Sequence, residues 1–120
     1  MTLKFHQALN HDGTPAPCLI STVFQDFESN EVLFEATMDR EACHQTQTTK
    51  RVHVYSRTDK VTRCKGATSG DYLEVVSIFV NCNWDSLLIK VRRLGKDGGV
   101  CHTVDQHGKK RPSCFYQTFT

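Results

Sequence analysis

The residues best equipped for chemistry are six cysteines, at positions 18, 43, 64, 82, 101 and 114 of a 120-residue chain. Three sit at expected junctions between loops and strands: Cys82 in N-C-N-W-D, Cys101 in V-C-H-T and Cys114 in S-C-F-Y. Junctions let side chains from separate strands converge on one ion. Three thiolates suit zinc, and three protein ligands leave a fourth tetrahedral position for water or substrate. The spacings match no short zinc-finger pattern, and small buried apolar cysteines are an equally good reading. Disulfides need an oxidising compartment, whereas the start M-T-L-K-F-H-Q-A-L-N has no apolar core of signal-peptide length. The expectation is a cytoplasmic protein with reduced thiols.

Further candidates surround these cysteines. His102 follows Cys101 directly. K-G-A-T-S-G (Lys65–Gly70) combines glycines, hydroxyls and a lysine, a make-up that can hold a phosphate but taken alone is more often an ordinary turn. His53 can face a site or rest as a satisfied core histidine. Trp84, an aromatic beside a turn, is more often simple packing than a stacking platform for a purine.

The elements that must position these residues follow from local pattern. Residues 1–18 read as an irregular lead-in, with His11–Pro17 (H-D-G-T-P-A-P) carrying the turn residues, and 19–120 as one domain. C-L-I-S-T-V-F-Q and V-L-F-E-A-T-M are strand-like runs separated by D-F-E-S-N-E, a hairpin signal. Asp39 is placed to cap a short helix through D-R-E-A-C-H-Q-T-Q-T, with Glu41 in its first turn. Arg51–Ser56 alternates like a half-buried strand, with Lys60–Lys65 as its antiparallel partner. Tyr72–Val80 reads as a central strand, Ser86–Arg93 as the strand after it, Gly95–Gly99 as a loop and Phe115–Phe119 as a last strand. One helix among about seven strand-like segments predicts an α+β, mainly antiparallel domain.

Composition limits the partners. Hydrophobic content of 38% and charged content of 23% are ordinary for a globular domain, and no run approaches the ~20 apolar residues of a membrane span. A net charge of +2 is too small to announce a nucleic-acid binder, and Lys109–Arg111 (K-K-R) reads as a solvated loop. Neither membrane nor nucleic acid is expected as a partner.

The order of motifs is more specific than any one of them. V-F-Q-D-(x)4-E-V-L-F, H-V-Y-S-R-T, K-G-A-T-S-G, N-C-N-W-D-S-L-L, C-H-T and S-C-F-Y, spread from Leu19 to Tyr116, closely resemble the phosphoribosyl-AMP cyclohydrolase family. The resemblance implies an enzyme of histidine biosynthesis that hydrolyses the N1–C6 bond of the adenine ring in phosphoribosyl-AMP. It implies zinc on Cys82, Cys101 and Cys114, and a proton shuttle at His102, a residue type that titrates near neutrality. It implies substrate contacts from Arg57, Lys65, Thr68, Ser69 and Gly70. It also implies magnesium at the segment Asn81, Asn83 and Asp85, and an intertwined homodimer with active sites shared between the two chains.

Three departures from the family pattern stand out. Asn81 and Asn83 occupy positions where the family carries aspartates, leaving Asp85 alone and the magnesium site weakened. Ala67 replaces the glutamate of K-G-E-T-S-G. Twelve residues separate Cys101 from Cys114, about twice the usual number, and they add Lys109, Lys110 and Arg111. These departures leave two alternatives beside the family reaction: hydrolysis of another purine-like nucleotide, or a non-catalytic, zinc-stabilised nucleotide-binding dimer.

Overall fold

The computed structural model describes residues 1–96 and 98–120. Alternation builds its central strand: in β1 (Ile20–Asp26) the residues Ile20, Thr22, Phe24 and Asp26 are buried while those between are more exposed. The turn after it closes on Asp26, whose carboxylate accepts from the backbone N–H and hydroxyl of Ser29 at 2.8 and 2.9 Å. This returns the chain as β2 (Val32–Met38), antiparallel to β1, with a register irregularity at Phe24/Gln25. The rings of Phe24 and Phe34 stack across the pair, with centroids 4.3 Å apart.

Asp39 then caps α1 (Arg40–Thr49), accepting from the Ala42 N–H at 2.8 Å, and Lys50 ends it in the left-handed region at φ 61°. The helix buries Ala42, Cys43 and Thr46. Cys43 serves here as a small apolar residue, with burial pushing its thiol up to about 11. A two-stranded antiparallel sheet follows, β3 (His53–Ser56) with β4 (Val61–Cys64), as the alternation of Arg51–Ser56 predicts. The chain then makes β5 (Leu73–Val80) and β6 (Ser86–Arg93), joined by the turn Asn81–Asp85.

The main sheet has the order β2-β1-β6-β5. The α+β class with one helix is therefore as expected, with one refinement: β6 runs parallel to β1, from Ser21 opposite Ser86 to Asp26 opposite Val91. A parallel neighbour needs a long crossover, and β2, α1, β3, β4 and β5 all lie within it. One core joins the layers through Ile20, Phe24, Leu33, Met38, Val52, Leu73, Ile89 and Val91. Burial of each such side chain contributes about 1.5–3 kcal/mol.

Two expectations need comment. Phe115–Phe119 forms no strand. Cys114 donates one backbone bond to Leu33 at the outer edge of β2, after which the chain leaves the sheet with Phe115, Tyr116 and Phe119 exposed. A single bond does not make a ladder. The loop Gly95–Gly99 is irregular at Gly95, Lys96, Gly98 and Gly99, while Asp97 lies outside the described residues. The N-terminal residues carry isolated bridges, His6 to Leu19 and Leu9 to Pro15, and Leu3 and Phe5 pack against the core. Among the described residues no helix is long and apolar enough to cross a membrane.

Candidate active site

The loop Lys65–Gly70 begins where β4 ends and is shaped by glycine. Gly66 sits at φ 90°, and a Cβ there would lie 2.4 Å from the Asp71 carbonyl carbon. No other residue type fits that approach. The loop closes through the Gly70 N–H, which donates to the Gly66 carbonyl at 2.7 Å. Lys65 is anchored by its backbone on Val52, and its ammonium lies 5.1 Å from the centre of the Phe34 ring. Thr68 and Ser69 are exposed at the tip.

A cleft of about 830 Å³ opens against this loop, lined by Lys65, Thr68, Ser69, Cys101, His102 and Lys110 among others. That volume suits a nucleotide-sized ligand. Lys65, Thr68, Ser69, Cys101 and His102, residues up to 37 positions apart, thus share one cavity.

The longer segment between Cys101 and Cys114 is a folded hairpin-like loop. Asp105 accepts from the backbone N–H groups of His107 and Lys109 at 2.8 and 3.1 Å, and Val104 bridges to Lys110. The Arg111 carbonyl accepts from both Val100 and Cys101, and the Arg111 guanidinium lies 4.0 Å from the Tyr116 ring centre. The insertion therefore braces the cysteine segment. Lys110, not singled out as a site residue by sequence, reaches into the cleft wall and pairs with Asp71 at 2.5 Å. The clue was its place in a basic insertion between two candidate ligands.

The Cys101 and Cys114 thiols lie close enough to perturb each other. Burial raises the Cys101 thiol, but the Thr103 partners (hydroxyl 3.0 Å, N–H 3.5 Å), the neighbouring Cys114 thiol and the charge of Lys65 outweigh it, and the net shift is downward. Burial, and then Cys101 itself, push the Cys114 thiol up to about 11. Two adjacent sulfurs, one held toward the thiolate by local donors, fit two ligands of a zinc ion.

Cys82 is elsewhere in the same chain. It lies in the turn before Ser86, which is level with Ser21, whereas Cys114 bonds at Leu33, next to Val32, which is level with Gln25 and Lys90. That is about 10–13 Å along the strands, at ~3.3 Å per residue, and two to three strands across. Thiolates on one zinc each lie ~2.3 Å from the ion. One chain therefore does not gather all three cysteines, and among the described residues no cluster of three or more His, Cys, Asp or Glu side chains in one chain could hold a metal.

Other candidates are occupied locally. The Arg57 guanidinium donates to the Leu9 carbonyl at 2.7 Å, and Arg57 does not line the cleft although its neighbours Ser56 and Thr58 do. His53 has its Nδ1 2.8 Å from the Arg51 carbonyl. Trp84 lines an apolar groove with Met38, Cys43 and Leu87. Asn81, Asn83 and Asp85 occupy the turn with Cys82. Asn81 spends its carboxamide inside that turn, so its donor set does not fit a magnesium site.

Comparison with known proteins gives the family. A family model described as phosphoribosyl-AMP cyclohydrolase matches residues 34–116. The phosphoribosyl-AMP cyclohydrolase of Clostridium botulinum (strain ATCC 19397 / Type A) is 43% identical over 100 residues, 83% of each chain. That of Thermobifida fusca (strain YX) is 41% identical over 88 residues, 73% of each chain. The histidine biosynthesis bifunctional protein HisIE of Buchnera aphidicola (subsp. Acyrthosiphon pisum, strain APS) is 41% identical over 100 residues, and the match spans 83% of this chain but 45% of that longer protein. With its cleft lined by the residues that carry the motif resemblance, and with this identity across most of two single-function enzymes, the chain belongs to the phosphoribosyl-AMP cyclohydrolase family.

Proposed function

We propose that the protein hydrolyses the N1–C6 bond of the adenine ring of phosphoribosyl-AMP in histidine biosynthesis, using zinc held by Cys101 and Cys114 of one chain and Cys82 of a second copy. The observation that carries this reading is the single cleft that unites the Lys65–Gly70 loop, Cys101, His102 and Lys110. Membership of the family supports the reaction, and the wide separation of Cys82 from the Cys101–Cys114 pair supports the second copy. Exposed apolar side chains on β5 (Ile78, Phe79) and on the tail (Phe115, Tyr116, Phe119) offer a surface for it.

Each group has a part. Zinc, when bound, supplies a Lewis acid that acidifies water toward neutrality. Lys65 and Lys110 offer cations to the substrate's two phosphates, and the glycine-shaped loop offers backbone N–H groups. His102, exposed at the cleft and next to Cys101, accepts a proton from the attacking water and returns it to the ring nitrogen that leaves C6. Cys101, held by the Thr103 donors and next to that histidine in sequence, would hold the metal.

The test is ring opening of phosphoribosyl-AMP, followed by its ultraviolet change, together with zinc content. Turnover with about one zinc per chain, both lost in Cys101→Ala, is the expected result. Zinc without turnover would remove the reaction and favour a nucleotide-binding dimer. Ala67, on the cleft wall where a glutamate is the family pattern, also makes other purine-like nucleotides worth including in the assay.

A further inference from the structure

The turn Asn81–Asp85 is closed by one side chain. The Asn81 carbonyl oxygen accepts from the N–H groups of Asp85 and Ser86 at 2.9 and 3.0 Å, and its Nδ2 donates to Asp85 Oδ1 at 2.7 Å. The other Asp85 oxygen faces His6 Nε2 at 3.7 Å. The backbone completes the turn: Trp84 donates to the Asn81 carbonyl at 3.1 Å while holding φ 62°, and Lys4 donates to the Trp84 carbonyl at 2.7 Å.

We infer that this turn is a metal-independent latch, in which the Asn81 amide takes the place of a divalent cation bridging residues 81 and 85. The chemistry follows from which atoms meet. With aspartate at position 81, two carboxylate oxygens would face each other at the distance that now separates Nδ2 from Oδ1. Such a pair needs a bridging cation or a shared proton. With asparagine, one atom of the contact is a donor, and attraction replaces repulsion without any ion.

The ligand inventory points the same way. Magnesium takes hard, charged oxygen ligands in near-octahedral geometry and gives up its water reluctantly. Here one carboxylate is present, with one oxygen already committed to Asn81. The Asn81 carbonyl oxygen is committed to two backbone donors. The protein therefore carries out its reaction with the turn held by hydrogen bonds, and magnesium is not required there.

Direct binding tests this separately from turnover, so failure of the proposed reaction would leave the result readable. Magnesium is titrated by calorimetry and Mn²⁺ by electron paramagnetic resonance, on the protein as purified with its thiol site loaded. Wild type is expected to show no binding that depends on Asp85, while Asn81→Asp/Asn83→Asp gains Mn²⁺ affinity by at least about 10-fold, following carboxylate count. Melting adds a second readout. The double variant should lose thermal stability in chelator and regain it with magnesium, whereas Asn81→Ala should lose stability and not respond to magnesium. Wild-type binding of either ion that disappears in Asp85→Ala would overturn the latch. So would a folded double variant with no gain in affinity, or a wild-type melting temperature raised by magnesium through Asp85.

Discussion

Lys110 and Asp71 form an ion pair of 2.5 Å on the wall of the cleft, 39 residues apart in sequence. Close packing brings them there. A Cβ at Gly99 would lie 2.5 Å from the Lys110 Cβ, and one at Gly95 would lie 2.3 Å from Asp71 Oδ1. Asp71 holds the ammonium here, and in the proposed reaction a substrate phosphate would take its place. Lys110→Gln is therefore expected to raise KM for the doubly phosphorylated nucleotide by about 10-fold, the scale of one charge-assisted hydrogen bond, with kcat within about twofold. Steady-state kinetics at two ionic strengths checks this, because the wild-type KM should rise with salt more than that of the variant. An unchanged KM would take Lys110 out of the substrate site.

Much of this architecture can be read from local pattern. Asp39 announces the helix because its short acceptor can reach the free N–H of Ala42. Ser86–Arg93 reads as a strand because it is a branched apolar run directly after the N-C-N-W-D turn, and its bounds are those observed. What is hidden is long-range. The parallel pairing of β1 with β6 depends on a crossover of some 60 residues, and nothing in either strand specifies it. Phe115–Phe119 has the composition of a strand, yet the chain leaves the outer edge of β2 after the single Cys114 bond. Arg57 belongs to the H-V-Y-S-R-T motif, yet the Leu9 carbonyl holds it, a contact across 48 positions that periodicity does not disclose. Lys110 was legible only as part of a basic insertion, because its partner Asp71 comes from another loop.

Ser113 sets the position of Cys114. It is buried, donates to the Val32 carbonyl at 2.7 Å and the Leu33 carbonyl at 3.3 Å, and accepts from the Phe115 N–H at 3.0 Å. Ser113→Ala removes the hydroxyl's bonds to the Val32 carbonyl and the Phe115 N–H, while the Leu33 carbonyl keeps the Cys114 N–H, and should cost about 0.5–1.5 kcal/mol. The same variant should release metal to a chelator faster than wild type, with Ser113→Thr closer to wild type in that rate. Equal release rates in all three proteins would show that Cys114 is positioned without the serine.

The first hairpin gives a pH prediction. Burial raises the Asp26 carboxyl, but the Ser29 donors and the Arg93 guanidinium, 3.2 Å away, outweigh it and hold the group below its ordinary 3.8. A depressed folded pKa contributes stability that is fully present above the unfolded value. That stability is lost as pH falls through the folded value. Asp26→Asn should thus be less stable than wild type near neutral pH by about 1–3 kcal/mol, since Arg93 loses its buried partner. The gap should narrow below pH ~4, the carboxylate range. Urea melts across that range measure it, and a gap independent of pH would assign the cost to packing alone.

Separation of Cys82 from Cys101 and Cys114 within one chain leads to a complementation test. If the site draws Cys82 from a second copy, Cys82→Ala and Cys101→Ala each destroy both sites of their own homodimer. Mixed by unfolding and refolding together, they form heterodimers in which one site combines intact Cys82 from one subunit with intact Cys101 and Cys114 from the other. The second site of each heterodimer carries both defects. Random pairing makes half of the dimers heterodimers with one working site of two, so activity should return to roughly a quarter of wild type. Zinc should return in the same proportion. If each site were built within one chain, every subunit in the mixture would still carry a defective site, and neither activity nor zinc would recover. The two arrangements therefore differ in outcome even if the variants alter stability, because refolded Cys82→Ala alone and Cys101→Ala alone serve as the references.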